Sequence, residues 1–486
     1  MRQLIAKMKL EHVYVIFMIF FGTILCFLTP PYQMGDEVVH FGRAWQISEG
    51  ILFSPSATAG EVLHATGNGA TQAYVQWGTD KRGLPPHVEV GKMLVAEVPS
   101  SMVPMEILKD YEQRAQQHAF SRDMIVRFLH MPFWAEPRET MLIPNAGSYS
   151  PLVYAPQAVA AWIGRMAGCS AGVIYYLMRL SAMTFVTGCI FASMKFLPEK
   201  KTIIFLLALM PMFLGEATAI SADTVVYGIC FLGTAWLLSL RKDSFPITKY
   251  ELAGLVCLAI ALGLMKQVYG IILLLYFLVP WQRLGSRRNF WMLGGTLLAL
   301  SLLSSIFWIQ LSVAGHGTEL LAATWLGANI VAQKAFVMAH PKEYIGVLAH
   351  SVWLEKTEHA KAFIGWLGLN MFLMPKWFNW TYAIILTIGA FCGDMRLKWT
   401  HRLSMMGAFL ITVAVLFTVE YIIWTPVGSD RIIGIQGRYF IPIALLLFCS
   451  FSCAPPFKHE KLFSVAAGLF SIATTIWVTY VSFYGG

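Results

Sequence analysis

The sequence predicts an all-α polytopic membrane protein with about 11 transmembrane helices (10–12), and three observations predict it. Hydrophobic residues make up 57% of the 486 and charged residues only 13%, with a mean hydropathy of +0.60; charge that sparse cannot coat a soluble chain of this size. Apolar runs approaching the roughly 20 residues that cross a bilayer recur from end to end. The short loops between them alternate, every second one being basic. The formal charge of +9 is therefore spread over small loop clusters rather than one polar face, which argues against a nucleic-acid partner.

The first element is MRQLIAKMKL followed by an apolar run over 13–28. It resembles a signal peptide, but the run is long and no small-x-small cleavage site follows, so it reads as a retained anchor. Spans are expected at 11–28, 172–194, 202–215, 217–240, 251–265, 268–281, 290–313, 381–393, 403–424, 439–453 and 462–484, several of them short enough to need a thinned bilayer or a broken helix. Arg2, Lys7 and Lys9, then Lys195, Lys200 and Lys201, then Arg241, Lys242 and Lys249 mark cytoplasmic loops, as do Arg283, Arg287 and Arg288, Arg396, Lys398 and Arg402, and Lys458 with Lys461. The N-terminus is then inside and the C-terminus outside.

The chain divides accordingly into 1–29, tail and first span; 30–171, a large outer loop; 172–313, a helix bundle; 314–380, a second outer loop; and 381–486, the C-terminal helices. The first outer loop carries helical patterns of its own, as over 104–131, and ends in SYSPLVYAPQAVAAWIGRMAG, expected as a helix lying at the outer interface. The second is rich in aromatics, among them Trp353, Trp366, Trp377 and Trp380, and reads as an interfacial cap. Eight cysteines lie in or beside apolar segments without CxxC or Cys/His spacing, so neither a disulfide framework nor a metal site is expected.

The stretch GDEVVHFGRAWQISEG, just after the first span, concentrates the chemistry. On a helix Asp36 and His40 are four apart, Glu37 and His40 three apart, and Arg43 three further on, which places them on one face. Asp36 after Gly35 would also serve as a plain N-cap. Arg179, Glu216, Asp223, Lys266 and Arg438 are charges at or inside outer span ends, expensive positions that point to function unless the side chain snorkels. Walker A, HExxH, GxSxG and dinucleotide-binding patterns are missing from the sequence, which leaves ATPase, zinc protease, serine hydrolase and oxidoreductase readings without support.

Taken in order, DEVVHFGRAWQISEG, SYSPLVYAPQ with YYLMRL, PMFLGEATAISADT, LMKQVYG, FIGWLG and GRYFIP resemble the recurrent pieces of a family of predicted polytopic bacterial membrane proteins. That family looks like part of the GT-C superfamily of integral membrane glycosyltransferases. The layout is also similar to phage-encoded, serotype-converting O-antigen glucosyltransferases. The resemblance implies a GT-C-like fold in the bacterial inner membrane, with Asp36 and Glu37 as the catalytic acidic pair on the periplasmic side. It implies substrate contacts at His40, Arg43, Arg179, Asp223, Lys266, Tyr269, Arg438 and Tyr439. The implied donor is a polyprenyl-phosphate-linked sugar such as undecaprenyl-phosphate glucose, and the implied acceptor is a glycan such as lipopolysaccharide O-antigen. A flippase and a cytoplasmic lipid-sugar synthase would be its partners, with membrane lipids around it. It fixes no cofactor and leaves room for a divalent cation at the acidic pair, and which carboxylate is the base stays open. Adjacent carboxylates cannot flank one sugar from both faces, so single displacement with inversion is expected. The alternatives are a flippase or transporter of lipid-linked sugars and an O-antigen polymerase or ligase.

Overall fold

The computed structural model describes residues 8–58, 92–103, 120–144, 146–242, 245–314, 321–323, 326–368, 371–393, 395, 397–451 and 459–485. Most of the helical pattern expected over 104–131 and the basic residues Arg2, Lys7, Arg396 and Lys458 lie outside them.

Helix α1 (Leu10–Leu28) opens the chain, with a π-helical turn over Met18–Gly22. A tight turn leads into α2 (Glu37–Ser48). The first loop, expected to be helical, carries helices, among them one over Arg122–His130 inside the expected pattern, and also builds a three-stranded antiparallel sheet of β1 (Ser56–Thr58), β2 (Lys92–Pro99) and β3 (Arg138–Leu142), with Ser56 opposite Leu94 and Val95 opposite Leu142. The run MLVAEV is too short to show its period, and what makes it a strand is burial against α2. Gly42 allows that approach, since a Cβ there would lie 2.8 Å from Ile143 Cγ2. Helix α3 (Arg122–His130) is capped by Ser121. Helix α4 (Ala155–Met166) packs one face on α2 and α5 (Ala171–Phe196) and exposes Val159, Trp162, Ile163 and Met166 on the other. Its 12 residues are too few to span a bilayer.

The span expected at 202–215 is two pieces, α6 (Lys201–Ala208) and α7 (Pro211–Ala217); Pro211 has no N–H to continue the ladder. Helix α8 (Ala222–Leu240) follows, then α9 (Lys249–Leu264), begun by a Thr248/Glu251 capping box. Residues Gln267–Leu278 form a long 3₁₀ helix before α10 (Arg287–Ser312). Helices α11 (Ile330–Ala339) and α12 (Pro341–Gly365) fill the second outer loop. Helices α13 (Lys376–Phe391), α14 (Trp399–Ile423), α15 (Ile441–Ser450) and α16 (Glu460–Tyr484) complete the chain.

Among the described residues six helices, α1, α5, α8, α10, α14 and α16, are long and apolar enough to cross a membrane. Length and composition of the described residues thus support six spans where about eleven are expected from the sequence; of the rest, 202–215 is broken at Pro211, 251–265 ends before Lys266, 268–281 is largely 3₁₀, and α13 and α15 are short helices of 16 and 10 residues. Helix α8 is central and buried along most of its length, while α10 and α14 are peripheral. At one end of the bundle Glu11 pairs with Lys201 at 2.9 Å and Lys195 at 3.5 Å, and Lys242 pairs with Glu199. At the other end Tyr484 Oη donates to Leu28 O at 3.0 Å, and Trp308 Nε1 donates to Ser148 O at 2.7 Å. The described basic loops and the described part of the first loop therefore occupy opposite ends.

Candidate active site

The structure separates the acidic pair. Glu37 is fully buried and its carboxylate is consumed: Arg179 donates to both oxygens at 2.8 and 2.6 Å, and the Ile220 amide donates at 2.9 Å. The remaining Arg179 hydrogens go to the carbonyls of Cys26, Thr29 and Pro30 at 2.7–3.0 Å. Those carbonyls include orphans at the end of α1, so the Glu37–Arg179 pair ties α1, α2 and α5 together. Arg179, expected at a substrate, is thus a buried strut.

Asp36 behaves differently. It occupies the N-cap position of α2 but makes no side-chain cap bond, and its backbone is left-handed, with φ +60° and ψ +10°. A non-glycine residue there is uncommon and carries a strain of order 1 kcal/mol, a feature concentrated at functional sites. Its side chain remains 48% exposed, whereas the side chains of Arg438, Glu216 and Asp223 are 0–2% exposed. The carboxylate pairs with Arg438. Arg438 also donates from Nη1 to Glu216 Oε1 and to Gly35 O, both at 3.1 Å, and its Nε lies 3.4 Å from Asp223 Oδ2. Asp223 in turn accepts from Lys266 Nζ, which sits 4.9 Å from the Tyr439 ring and 5.6 Å from the Tyr149 ring. Asp36, Asp223, Lys266, Arg438 and Tyr439, distant in sequence, are thereby one cluster.

Three expected contacts take supporting positions. Arg43 is buried and donates to the carbonyls of Leu52 at 2.7 Å and Tyr149 at 3.1 Å, fastening the first loop rather than facing the cluster. Tyr269 Oη donates to Tyr439 O at 2.9 Å and fixes that residue. His40 Nδ1 lies 2.6 Å from Tyr154 Oη, with its ring stacked on Tyr149. Burial pushes the His40 imidazole down to about 4, reinforced by Arg438 and Lys266 and opposed by Asp36 and Asp223. It is neutral at pH 7. For Asp36, desolvation would raise the carboxyl, but Arg438 and His40 outweigh it and hold the group below the usual carboxylate range.

Two residues were not singled out from the sequence. Tyr149 presents its ring to Lys266, and Glu420, in the last turn of α14, interacts electrostatically with Lys266, Arg438 and Asp36. An acidic residue at a span end was the available signal for Glu420. An apolar groove of about 560 Å³ is lined by Ile47, Leu152, Val159, Trp162, Leu264 and Trp308 among others. Its lining includes Ser150 and Leu264, sequence neighbours of Tyr149 and Lys266, but none of Asp36, Asp223, Lys266, Arg438 or Tyr439.

The acidic pair does not fit a shared divalent cation, because Asp36 and Glu37 face different guanidinium groups. Among the described residues no three His, Cys, Asp or Glu side chains gather as metal ligands.

A family model described as "Predicted membrane protein (DUF2142)" matches residues 118–447. The chain belongs to this family. The matched part of this DUF2142 protein contains Arg179, Glu216, Asp223, Lys266, Glu420 and Arg438, while Asp36 precedes it. No curated protein and no solved structure matches the chain.

Proposed function

We propose that this protein transfers a sugar, glucose in the first instance, from a polyprenyl-phosphate carrier to a cell-surface glycan such as O-antigen, on the periplasmic face of the inner membrane. The observation that carries the reading is the state of Asp36: strained, not used as a cap, half exposed, and set beside Lys266 and Arg438 at the bundle end opposite the basic loops. Positive-inside orientation puts that end outside. The apolar groove, whose lining includes Leu264 two residues before Lys266, suits the chain of a lipid donor.

In the proposed step Asp36 accepts the proton of an acceptor hydroxyl as its oxygen bonds to the anomeric carbon. The bond from that carbon to phosphate oxygen breaks, and the lipid phosphate leaves with the electron pair, inverting the centre. Lys266 spends one of its three N–H groups on Asp223 and has others to offer the departing phosphate. Glu37 and Arg179 hold the turn that carries Asp36. The test is transfer from polyprenyl-phosphate glucose in proteoliposomes. Asp36→Asn should lower turnover about 10²- to 10⁴-fold at unchanged protein level; unchanged turnover would remove Asp36 as the base. Transbilayer movement of the donor without transfer would favour the flippase instead.

A further inference from the structure

The charges of the cluster do not balance. Arg438 pairs with Asp36, with Glu216 at 3.1 Å and with Asp223 at 3.4 Å, and Asp223 also pairs with Lys266. Three carboxylates therefore share two cations, which leaves one negative charge in excess. Glu420 on α14 also acts on Arg438 and Lys266, and as a carboxyl it can only add to that excess. His40, which faces Asp36 and Asp223, is neutral and offsets nothing. A buried cluster of this kind takes up a proton in preference to holding the excess charge. Glu216 is the carboxyl placed to receive it. Asp36 is half exposed and keeps its water, while Asp223 is sealed but faces both cations. Glu216 is equally sealed, shares a single guanidinium with the other two, and has its Oε2 buried with no hydrogen bond among the described residues. From α8 Ser221 and Tyr227 face it and bring no positive charge; Met34 and Leu367 pack on Gly215 beside it. Burial, helped by Asp223, pushes the Glu216 carboxyl above the ordinary carboxylate range against the pull of Arg438.

We propose that Glu216 is a proton site coupled to the binding of an anionic lipid phosphodiester: the lipid and one proton from solvent bind together, the proton going to the Glu216 carboxylate. With Glu216 ionised, the cluster is negative and repels a phosphate brought against Lys266. With Glu216 neutral, the repulsion ends and the remaining N–H groups of Lys266 meet the phosphate unopposed. The coupling is reciprocal, so the phosphate tightens the hold of Glu216 on its proton as much as the proton tightens the hold on the phosphate. Glu216 acts through Arg438 and Lys266 and not on the reacting atoms, and its proton returns to solvent when the lipid leaves. That the ligand is a lipid-linked sugar rests on the function proposed above; the proton site rests on the charge imbalance and the burial of Glu216.

Isothermal titration calorimetry on the purified full chain in zwitterionic nanodiscs tests it, with a short-chain prenyl phosphodiester of glucose as the probe, since a diester does not itself titrate near neutrality. Repeating the titration in buffers of different ionisation heat counts the protons taken up. At about pH 8 the wild-type protein should take up about one proton per probe bound, and affinity should rise about tenfold per pH unit below that until Glu216 is protonated in the unliganded protein. Glu216→Gln, the same shape and permanently neutral, should take up none, bind with an affinity independent of pH, and bind more tightly than wild type at about pH 8. Binding by wild type without proton uptake overturns the coupling, and so does uptake that persists unchanged in Glu216→Gln; the wild-type count decides by itself should that variant fail to fold. Proton-coupled binding in a protein without transfer activity keeps the role of Glu216 and removes the transfer reading, whereas transfer with uncoupled binding does the reverse. Phosphatidylglycerol is the second probe: equal coupled binding keeps the proton site and assigns it to lipid phosphodiesters at large, and coupled binding of the glucose-bearing probe alone assigns it to the donor. Binding of neither probe at any pH overturns both readings.

Discussion

Asp36 and Glu37 are neighbours in sequence with opposite fates, and the difference lies in solvation. Glu37 is sealed in a pair that forms only if Arg179 is present, so removing either member strands a buried charge at a cost of about 3–5 kcal/mol. Glu37→Gln should therefore lower thermal stability and membrane yield, and it should lose activity through folding; a stable, inactive Glu37→Gln protein would instead put Glu37 in the chemistry. His40 gives a pH signature. Its folded-state value of about 4 lies below its ordinary 6.5, so the unfolded chain binds the extra proton first and the native state is favoured fully only above about pH 6.5. Stability should fall as pH drops from about 6.5 towards 4, by as much as roughly 3 kcal/mol. Melting curves of wild type and His40→Gln across that window should differ in slope, and identical slopes would clear His40.

At the scale of elements, α4 and the groove beneath it make the sharpest prediction. Ala158 lines the groove, and a bulky Ala158→Trp side chain would occupy its volume without touching Asp36 or Lys266. Apparent affinity for a polyprenyl-phosphate donor should fall about tenfold or more, the equivalent of at least 1.4 kcal/mol, with turnover at saturation retained. Kinetics over a range of donor concentrations separate the two, and a fall in turnover alone would detach the groove from donor binding. The contact between α2 and the sheet offers a stability test. Gly42→Val would press a branched side chain on Ile143, where even a Cβ falls 2.8 Å away, and overpacking of this kind costs about 1–3 kcal/mol. A lowered melting temperature checks it.

Across the whole molecule, the long helices, some running up and some down, fit one orientation: the ends near Glu11, Lys195, Lys242 and Glu460 lie together, and the ends near Leu28, Arg179, Asp223, Trp308 and Glu420 lie at the other side. If the basic side is cytoplasmic, fusions at Arg287 should report cytoplasmic and fusions after Tyr484 should report periplasmic. Phosphatase activity from an Arg287 fusion would invert the molecule and with it the compartment of the site. The charged cluster draws on α2, α8, α14, the turn at Lys266 and the 3₁₀ turn at Arg438, so it exists only when the full bundle is assembled.

The sequence by itself determined the membrane class, most of the helical segments and which charges were worth singling out, because apolar run length and the cost of a charge near hydrocarbon are local quantities. Asp36, Asp223, Lys266 and Arg438 were legible in that way, and Glu420 would have been by the same rule. What only the tertiary structure decided was partnership. Whether an arginine is a strut, as Arg179 and Arg43 are, or faces a cleft depends on which carbonyls and carboxylates come within 3 Å of it, and those lie up to 403 residues away, as Gly35 O does from Arg438. The sheet in the first loop was hidden for a related reason: β2 and β3 are strands through pairing with each other and burial under α2, and neither run carries that information alone.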